Sequence, residues 1–311
     1  MAYDVTIIGT GPAGLTAGQY AYRRGLDTLI LEKEGVGGEL VNRHHIETYP
    51  GFPDGISGPD LRSKLVAELE EYDAEVRLTE VEGITPGDPH TIRTGGEEYE
   101  SEAVILATGG EHSDLDVEGE ERYDGHGVFY CAQCDGPLYR DEHIAVVGGS
   151  DHALGDALFL TKFASSVTVV SRQKRLSAGE HLRERAESNS KIEIMLDTEV
   201  TGVEGENGLV NGLTLVDGET DEEQLREVGG LYVCVGLDPN TMFLEGVVPL
   251  TEKGSVVVGS DLMTGVDGIY AAGDVRQHSG REVTASVGDG AVAARSVARH
   301  LEHSPEASPT E

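Results

Sequence analysis

Tryptophan is absent from the sequence, and 311 residues include only five phenylalanines, four methionines and three cysteines. Basic side chains are scarce too. Lysine and arginine together number 23 against 57 acidic residues, which gives a formal charge of −34, and only six of the 23 are lysines. Each shortage excludes something. Three cysteines, two of them in one short motif, cannot build the disulfide scaffold of a secreted protein and suit a reducing cytosol. No apolar run reaches the length of a membrane span. The chain opens straight into Tyr3-Asp4-Val5-Thr6-Ile7-Ile8-Gly9, without the basic segment and apolar stretch of an export signal. A cytoplasmic location is therefore expected. A surface so poor in cations repels phosphate, so neither nucleic acid nor an anionic membrane is an expected partner. The carboxylates are spread along the chain and not gathered in a tail. Concentrated salt would screen their repulsion, so the composition reads as a halophile's, with an acidic mesophile enzyme as the alternative.

Glycine, by contrast, is plentiful at 42 residues, and its placement is informative. The apolar strand Asp4–Ile8 runs directly into Gly9-Thr10-Gly11-Pro12-Ala13-Gly14. A helical stretch, Ala13–Arg24, and a second strand, Asp27–Leu31, follow, and Glu32 closes the unit. In that strand–turn–helix setting the glycine pattern is a dinucleotide fingerprint. The first glycine makes the turn, the second lets a pyrophosphate approach and the third packs helix on strand. Glu32 stands where a carboxylate accepts hydrogen bonds from a ribose. A near-copy follows strand 143–147: Gly148-Gly149-Ser150-Asp151-His152-Ala153, a helix, and strand Val167–Val170 ending at Ser171. Gly9 to Glu32 and Gly148 to Ser171 both span 23 positions. The chain thus carries two dinucleotide-binding units in series, an internal repeat in a length with room for two domains.

Between the repeats lies Cys131-Ala132-Gln133-Cys134-Asp135. Two cysteines at this spacing can close a disulfide and reopen it as a dithiol, one thiol with a lowered pKa. Asp135 is placed to move the proton that such exchange requires. Half of a structural zinc site is the alternative. It needs two more ligands at similar spacing, and the only other cysteine, Cys234, sits in the apolar run Leu231–Val235, which reads as a buried strand. No metal site is expected.

The remaining segments read more simply. Ser57-Gly58-Pro59-Asp60 starts a helix running to about Tyr72, whose Glu68, Glu70 and Glu71 form a solvated face. Strand-like segments fall at 75–81, 89–94 and 98–107, the last closing on Gly109-Gly110. Residues 111–126 and 240–246 are linker candidates, and hairpin-like strands fill 191–217. Ser255–Val258, Ile269–Asp274 and a helix over about 283–301 complete the chain. Its polar end, Glu302–Glu311, is expected to fray.

Two nucleotide units with Cys-x-x-Cys-Asp between them resemble the low-molecular-weight thioredoxin reductases. The likeness covers nearly the full length. It rests on Gly9–Gly14, Gly37-Gly38, Tyr49-Pro50-Gly51, Ala107-Thr108-Gly109, Cys131–Asp135, Gly148–Ala153, Gly236–Asn240 and Ala271-Ala272-Gly273-Asp274. It implies an α/β fold of two Rossmann-like three-layer dinucleotide-binding domains, the second inserted into the first. Residues 1–113 and 244–311 would bind FAD, and 114–243 would form an NAD(P)-type domain carrying the redox disulfide. It also implies a homodimer and, as substrate, a thioredoxin-like small protein disulfide.

Carried over by residue, Gly9, Gly11, Pro12, Ala13 and Gly14 would cradle the FAD pyrophosphate, with Glu32 and Lys33 at the ribose. Gly38, Glu39, Leu40, Thr48, Val81, Ala107, Thr108, Gly109, Asp274, Arg281, Glu282 and Val283 would line the rest of that site. Gly148, Gly149, Ser150, Asp151, His152, Ala153, Arg172, Lys174, Arg175, Val235 and Gly236 would hold the nicotinamide dinucleotide. Cys134 would receive electrons from the flavin side, Cys131 would attack the partner, and Asp135 would be the general acid.

Departures from the family pattern cluster at the second site. Glu282 and Thr48 replace a glutamine and an asparagine beside the flavin. In the second fingerprint Ser150 replaces the middle glycine, Gly155 stands where an acidic residue is usual, and Ser177 takes the place of an arginine. Ser171 puts no carboxylate where NADH would need one. Arg172, Lys174 and Arg175 suit a 2′-phosphate, although the same residues would equally make a solvated loop. NADPH is therefore the expected donor, weakly bound. The alternatives are a reductase fed by reduced deazaflavin or ferredoxin, a flavin dithiol oxidase using oxygen, and, in another class, a non-catalytic dinucleotide sensor.

Overall fold

A computed structural model describes residues 2–43, 45–72 and 74–303. The chain forms two compact units, Met1–Glu111 with Asp238–Glu311, and His112–Leu237.

In the first unit, β1 (Tyr3–Ile8), α1 (Pro12–Tyr22) and β2 (Thr28–Glu32) make the expected strand–helix–strand entry. α2 (Gly58–Glu70) starts where Ser57 Oγ accepts the Asp60 amide, with Pro59 in its first turn. β3 (Glu75–Leu78), β4 (Val81–Thr85), β5 (His90–Thr94) and β6 (Glu98–Leu106) follow. The segment read as one strand over 75–81 is two. β3 extends the parallel sheet beside β2, and β4 turns back to pair with β5. β6 is long enough to serve three partners: it lies parallel to β1 on one side, while on the other its first half pairs antiparallel with β5 and its second half lies parallel to a late strand.

β7 (Gly110–His112) leads into the second unit, which holds α3 (Glu120–Tyr123), β8 (Val128–Phe129), α4 (Ala132–Asp135), β9 (His143–Val147), α5 (Asp151–Leu160), β10 (Ser166–Val170) and α6 (Glu180–Glu187). β11 (Ile192–Met195), β12 (Thr198–Glu206), β13 (Leu209–Asp217), β14 (Glu223–Glu227) and β15 (Gly230–Val233) complete it. The parallel sheet runs β11-β10-β9-β15-β8, and β12-β13-β14 form a separate antiparallel sheet. β14 was not expected, since its alternating polar sequence Glu223-Gln224-Leu225-Arg226-Glu227 has almost nothing to bury. β16 (Leu237–Pro239) pairs with β7. β17 (Ile269–Ala271) and α7 (Val283–His303) then return to the first unit.

Both units use the same three layers. In the first, one face of the parallel strands (Val5, Ile7, Ile30, Ile105) packs on Leu15 and Ala17 of α1 and on Ala293, Ala294 and Val297 of α7. The other face (Ile8, Leu29, Leu31, Leu106) packs on Val81, Ile84 and Ile92 of the β4–β5 layer. In the second, Ile144, Val146, Val167 and Val169 pack on Leu154, Ala157 and Leu160 of α5, while Ala145, Val147 and Val170 face Val200, Leu213 and Leu215 of the antiparallel sheet.

Several expectations need correction. Residues 113–126 are not a bare linker: Tyr123 is buried against the second unit's β layer, and Glu120 is 4% exposed because its Oε1 accepts the Leu115 amide and the Tyr130 hydroxyl. The segment 240–246 holds a 3-10 turn, Met242–Leu244, with Leu244 buried, and the units exchange earlier, at 237/238. Cys234 lies just beyond β15 and is half-buried. Val256 makes isolated bridges to Leu250 and Arg276. Glu302 belongs to α7, while the rest of the polar end, 304–311, lies outside the described residues.

Candidate active site

The first cradle is set by where β1 ends. Gly9 turns the chain at φ +101°, its amide reaching Leu31 O (2.8 Å), while the Ala107 amide reaches Ile8 O (2.8 Å). A Cβ on Gly9 would collide with the Ala107 carbonyl, and one on Gly14 with the Gly9 carbonyl, so both must be glycine for three segments to meet. Gly11 differs: a Cβ there would meet nothing within 4 Å. It caps α1 without any side-chain acceptor. Open space and a helix start without a side-chain acceptor suit the approach of a phosphate group. Pro12 and Ala13 follow as the first residues of α1.

The first unit also brings candidate residues distant in sequence into contact with one another. Glu32 ends β2, its Oε2 accepting from the Thr10 amide (2.8 Å) and hydroxyl (2.5 Å). Lys33 pairs with Glu80 at 3.2 Å. Gly38, Glu39 and Leu40 open a 3-10 turn, where a Cβ on Gly38 would lie 3.1 Å from Gly11 Cα. Thr108 and Gly109 follow β6, and Asn240 Nδ2 donates to Thr108 O (3.1 Å). Val81 begins β4 and is 8% exposed. Thr48 Oγ1 donates to Glu282 Oε2 (3.3 Å), bringing the two substituted positions together. Asp274 follows β17 and accepts from Ser279 Oγ, whose oxygen in turn accepts the Arg281 amide (3.1 Å). Val283 packs with Leu40 and Ile56.

Sequence reasoning missed four residues here. Thr10 anchors Glu32. Arg62 donates from α2 to Val36 O and steadies the glycine loop. Asp289 on α7 takes the Gly273 amide (3.0 Å) and grips Arg276 with both oxygens, at 2.6 and 2.9 Å. Arg276 also donates to Gln277 O and His278 O, which fixes the loop holding Asp274. An arginine thirteen residues before an aspartate carries no periodicity that would have announced the pair.

The second cradle repeats the backbone and changes the lining. The Gly148 amide reaches Val170 O and the Cys234 amide reaches Val147 O, each at 2.9 Å, matching Gly9 and Ala107. A Cβ on Gly148 would collide with the Cys234 carbonyl. Ser150, however, caps α5 with its own hydroxyl, accepting the Ala153 amide (3.3 Å). One donor that an anion would use is thereby engaged. Gly149 lies beside Ser171, where a Cβ would sit 3.0 Å from Ser171 Oγ. Asp151 Oδ1 accepts the Gly179 amide (2.6 Å). His152 pairs with Asp156 (2.9 Å), which also accepts the Tyr232 hydroxyl (2.5 Å), so the acid next to Gly155 is already engaged. The space beside Gly155 is open. Val235 and Gly236 leave β15 half-buried, Gly236 O accepting the Ser113 amide (3.2 Å). Arg172, Lys174 and Arg175 are exposed.

Cys131 and Cys134 are joined as a disulfide with Cα atoms 5.3 Å apart. Cys131 caps the short α4, its sulfur accepting the Cys134 amide (3.1 Å), and Cys134 is the more exposed of the two. The next carboxyl, Asp135, is pushed above the ordinary aspartate range, first by burial and then by the charge of Asp124. A carboxyl whose proton is held more tightly than usual, next to a sulfur pair, is suited to give a proton to a departing thiolate.

The chain matches the model of the family "Pyridine nucleotide-disulphide oxidoreductase" over residues 3–290. It is 38% identical over 305 residues to a thioredoxin reductase of Bacillus subtilis (strain 168), covering 98% of this chain and 96% of that one. Among solved structures it superposes on Lactococcus lactis thioredoxin reductase in the FR conformation with a TM-score of 0.94 at 38% identity, covering 96% of this chain and 99% of that one. For T. acidophilum thioredoxin reductase the TM-score is 0.92 at 33% identity, with the same coverage. The chain belongs to the pyridine nucleotide-disulphide oxidoreductase family. It is an oxidoreductase with the two-Rossmann-domain fold, and the reading as a non-catalytic sensor falls.

Proposed function

We propose that the chain is an FAD-dependent thioredoxin-disulfide reductase, taking electrons from NADPH and delivering them to a small thioredoxin-like protein disulfide. The observation that carries this reading is the Cys131–Cys134 disulfide on a dinucleotide-binding unit, followed directly by Asp135, whose carboxyl is shifted toward its acid form by burial and Asp124. FAD, when bound, supplies the two-electron relay between nicotinamide and disulfide. The first unit is its domain, with Gly9–Gly14 on the pyrophosphate, Glu32 and Lys33 at the ribose, and Gly38–Leu40, Thr48, Val81, Ala107–Gly109, Asp274 and Arg281–Val283 around the remainder. The second unit, through Gly148–Ala153, Arg172, Lys174, Arg175, Val235 and Gly236, takes NADPH.

The chain's own residues then do the exchange. In the reduced pair Cys131 attacks one sulfur of the partner's disulfide, forming a mixed disulfide and expelling the other sulfur, which takes a proton. Cys134 next attacks Cys131, releasing the second partner thiol and restoring the Cys131–Cys134 bond. Two electrons and two protons leave the chain, and Asp135 donates and recovers protons. The named relatives are reductases, which argues against the oxidase reading, and the family's description as pyridine nucleotide-disulphide oxidoreductases favours a nicotinamide donor. A homodimer in the cytoplasm of a salt-adapted cell completes the proposal, supported by the family resemblance and by the charge of −34. The test is turnover of a thioredoxin-type disulfide by the FAD-loaded protein with NADPH. Cys131→Ser and Cys134→Ser must each abolish it while FAD stays bound, and a persistent rate in either sinks the assignment.

A further inference from the structure

In the second unit the loop after β10 is fastened to the strand end beside it. The Ser171 amide reaches Met195 O (2.9 Å), the Asp197 amide Gln173 O (3.1 Å) and the Thr198 amide Ser171 O (3.0 Å). This ladder sets Asp197, at φ +50°, opposite Lys174. A second carboxylate arrives from the β13–β14 turn. Asp217 Oδ1 accepts the Glu219 amide (3.0 Å), the Thr220 amide (2.9 Å) and the Thr220 hydroxyl (3.0 Å), which holds that turn in shape. Lys174 Nζ ends 3.1 Å from Asp197 Oδ2 and 3.6 Å from Glu219 Oε1. Asp197 Oδ2 is itself buried and accepts no well-formed hydrogen bond among the described residues, so the approach of Lys174 is ionic, and its ammonium is what balances that oxygen. Arg172 and Arg175 stand exposed, with no ion pair of their own among the described residues.

We propose that Asp197 and Glu219 are specificity-determining residues for the electron donor, an inference that rests on the NADPH reading above: they hold Lys174 as an internal counter-ion and so limit what it can give to a 2′-phosphate. A phosphate that draws Lys174 away leaves a buried carboxylate oxygen uncompensated and brings its own charge toward Glu219. The effective phosphate clamp is then Arg172 and Arg175, with Lys174 contributing only what its two carboxylates release. NADH, lacking the phosphate, is indifferent to this arrangement. Discrimination between the two donors is therefore set by acids on the neighbouring sheet as much as by the basic residues.

The test is calorimetric binding of NADP⁺ and NAD⁺ to the FAD-loaded protein at fixed ionic strength. Exposed ion pairs of this kind are weak, so Glu219→Gln should tighten NADP⁺ by about two- to fivefold and leave NAD⁺ unchanged. Asp197→Asn should act in the same direction, since asparagine accepts the positive φ. Lys174→Gln should weaken NADP⁺ more in the Glu219→Gln background than in the unmodified protein. Equal tightening of both nucleotides, or of neither, overturns the inference. The unmodified protein reports on the donor reading separately: if it binds NAD⁺ as tightly as NADP⁺, or binds neither, that reading fails and the inference falls with it.

Discussion

Asp135 illustrates how much one residue's chemistry depends on neighbours that are remote in sequence. The motif Cys131–Asp135 was legible because a cysteine pair followed by an acid announces thiol chemistry by its order alone. Asp124 was not, because its effect on Asp135 arises only when the turn before β8 folds beside α4. Burial and Asp124 both favour the protonated carboxyl, so the acid form persists to higher pH than in a free aspartate. Its stability contribution has the same sign. It is complete below the unfolded pKa and is lost as pH rises through the folded one. Asp135→Asn should slow turnover by ~10²-fold, as removal of a general acid does. Asp124→Asn should instead keep the rate at low pH and move the alkaline limb of kcat/KM toward lower pH. An unmoved limb, measured over the full profile, would remove Asp124 from the account.

At the scale of elements, the turn after β1 makes two glycines separable. Gly9→Ala would force a side chain against the Ala107 carbonyl at positive φ, and should destabilise the apoprotein by ~2 kcal/mol or more in urea unfolding. Gly11→Ala meets open space at ordinary φ, so the apoprotein should unfold at the same urea concentration while FAD dissociates more readily. If Gly11→Ala retains FAD normally, the pyrophosphate does not lie where the cradle suggests. Asp289→Ala removes one partner of an ion pair whose side chains are 16% and 13% exposed, and should cost about 3 kcal/mol together with FAD affinity. Strands whose sequence was apolar, such as β1, β9 and β10, were legible in advance, as were the capped helix α2 and the repeat. What escaped was polar: β14, whose hydrogen bonds to β13 rather than its side chains hold it, and α3, whose Glu120 is buried because two donors meet it. Hydropathy does not register a carboxylate that is inside because it is satisfied.

For the whole molecule, a charge of −34 implies self-repulsion that mobile ions relieve. The melting temperature should rise steeply with sodium chloride and hardly at all with an uncharged osmolyte at moderate concentration. Equal responses would mean that charge screening is not the source. The organisation of the first unit has a consequence in time. Its sheet lacks β17, and α1 lacks the helix that covers it, until residues 269–303 have been made; Gly290 of α7 lies so close to α1 that a Cβ there would collide with Ala13 O. The second unit, by contrast, is one continuous segment, 112–237. During vectorial synthesis on the ribosome the inserted unit emerges whole while the first remains half built. The fingerprint Gly9–Gly14 leaves the exit tunnel early and waits for α7, translated some 270 residues later, to complete its fold. Cofactor binding at that fingerprint is therefore expected only after α7 has been made.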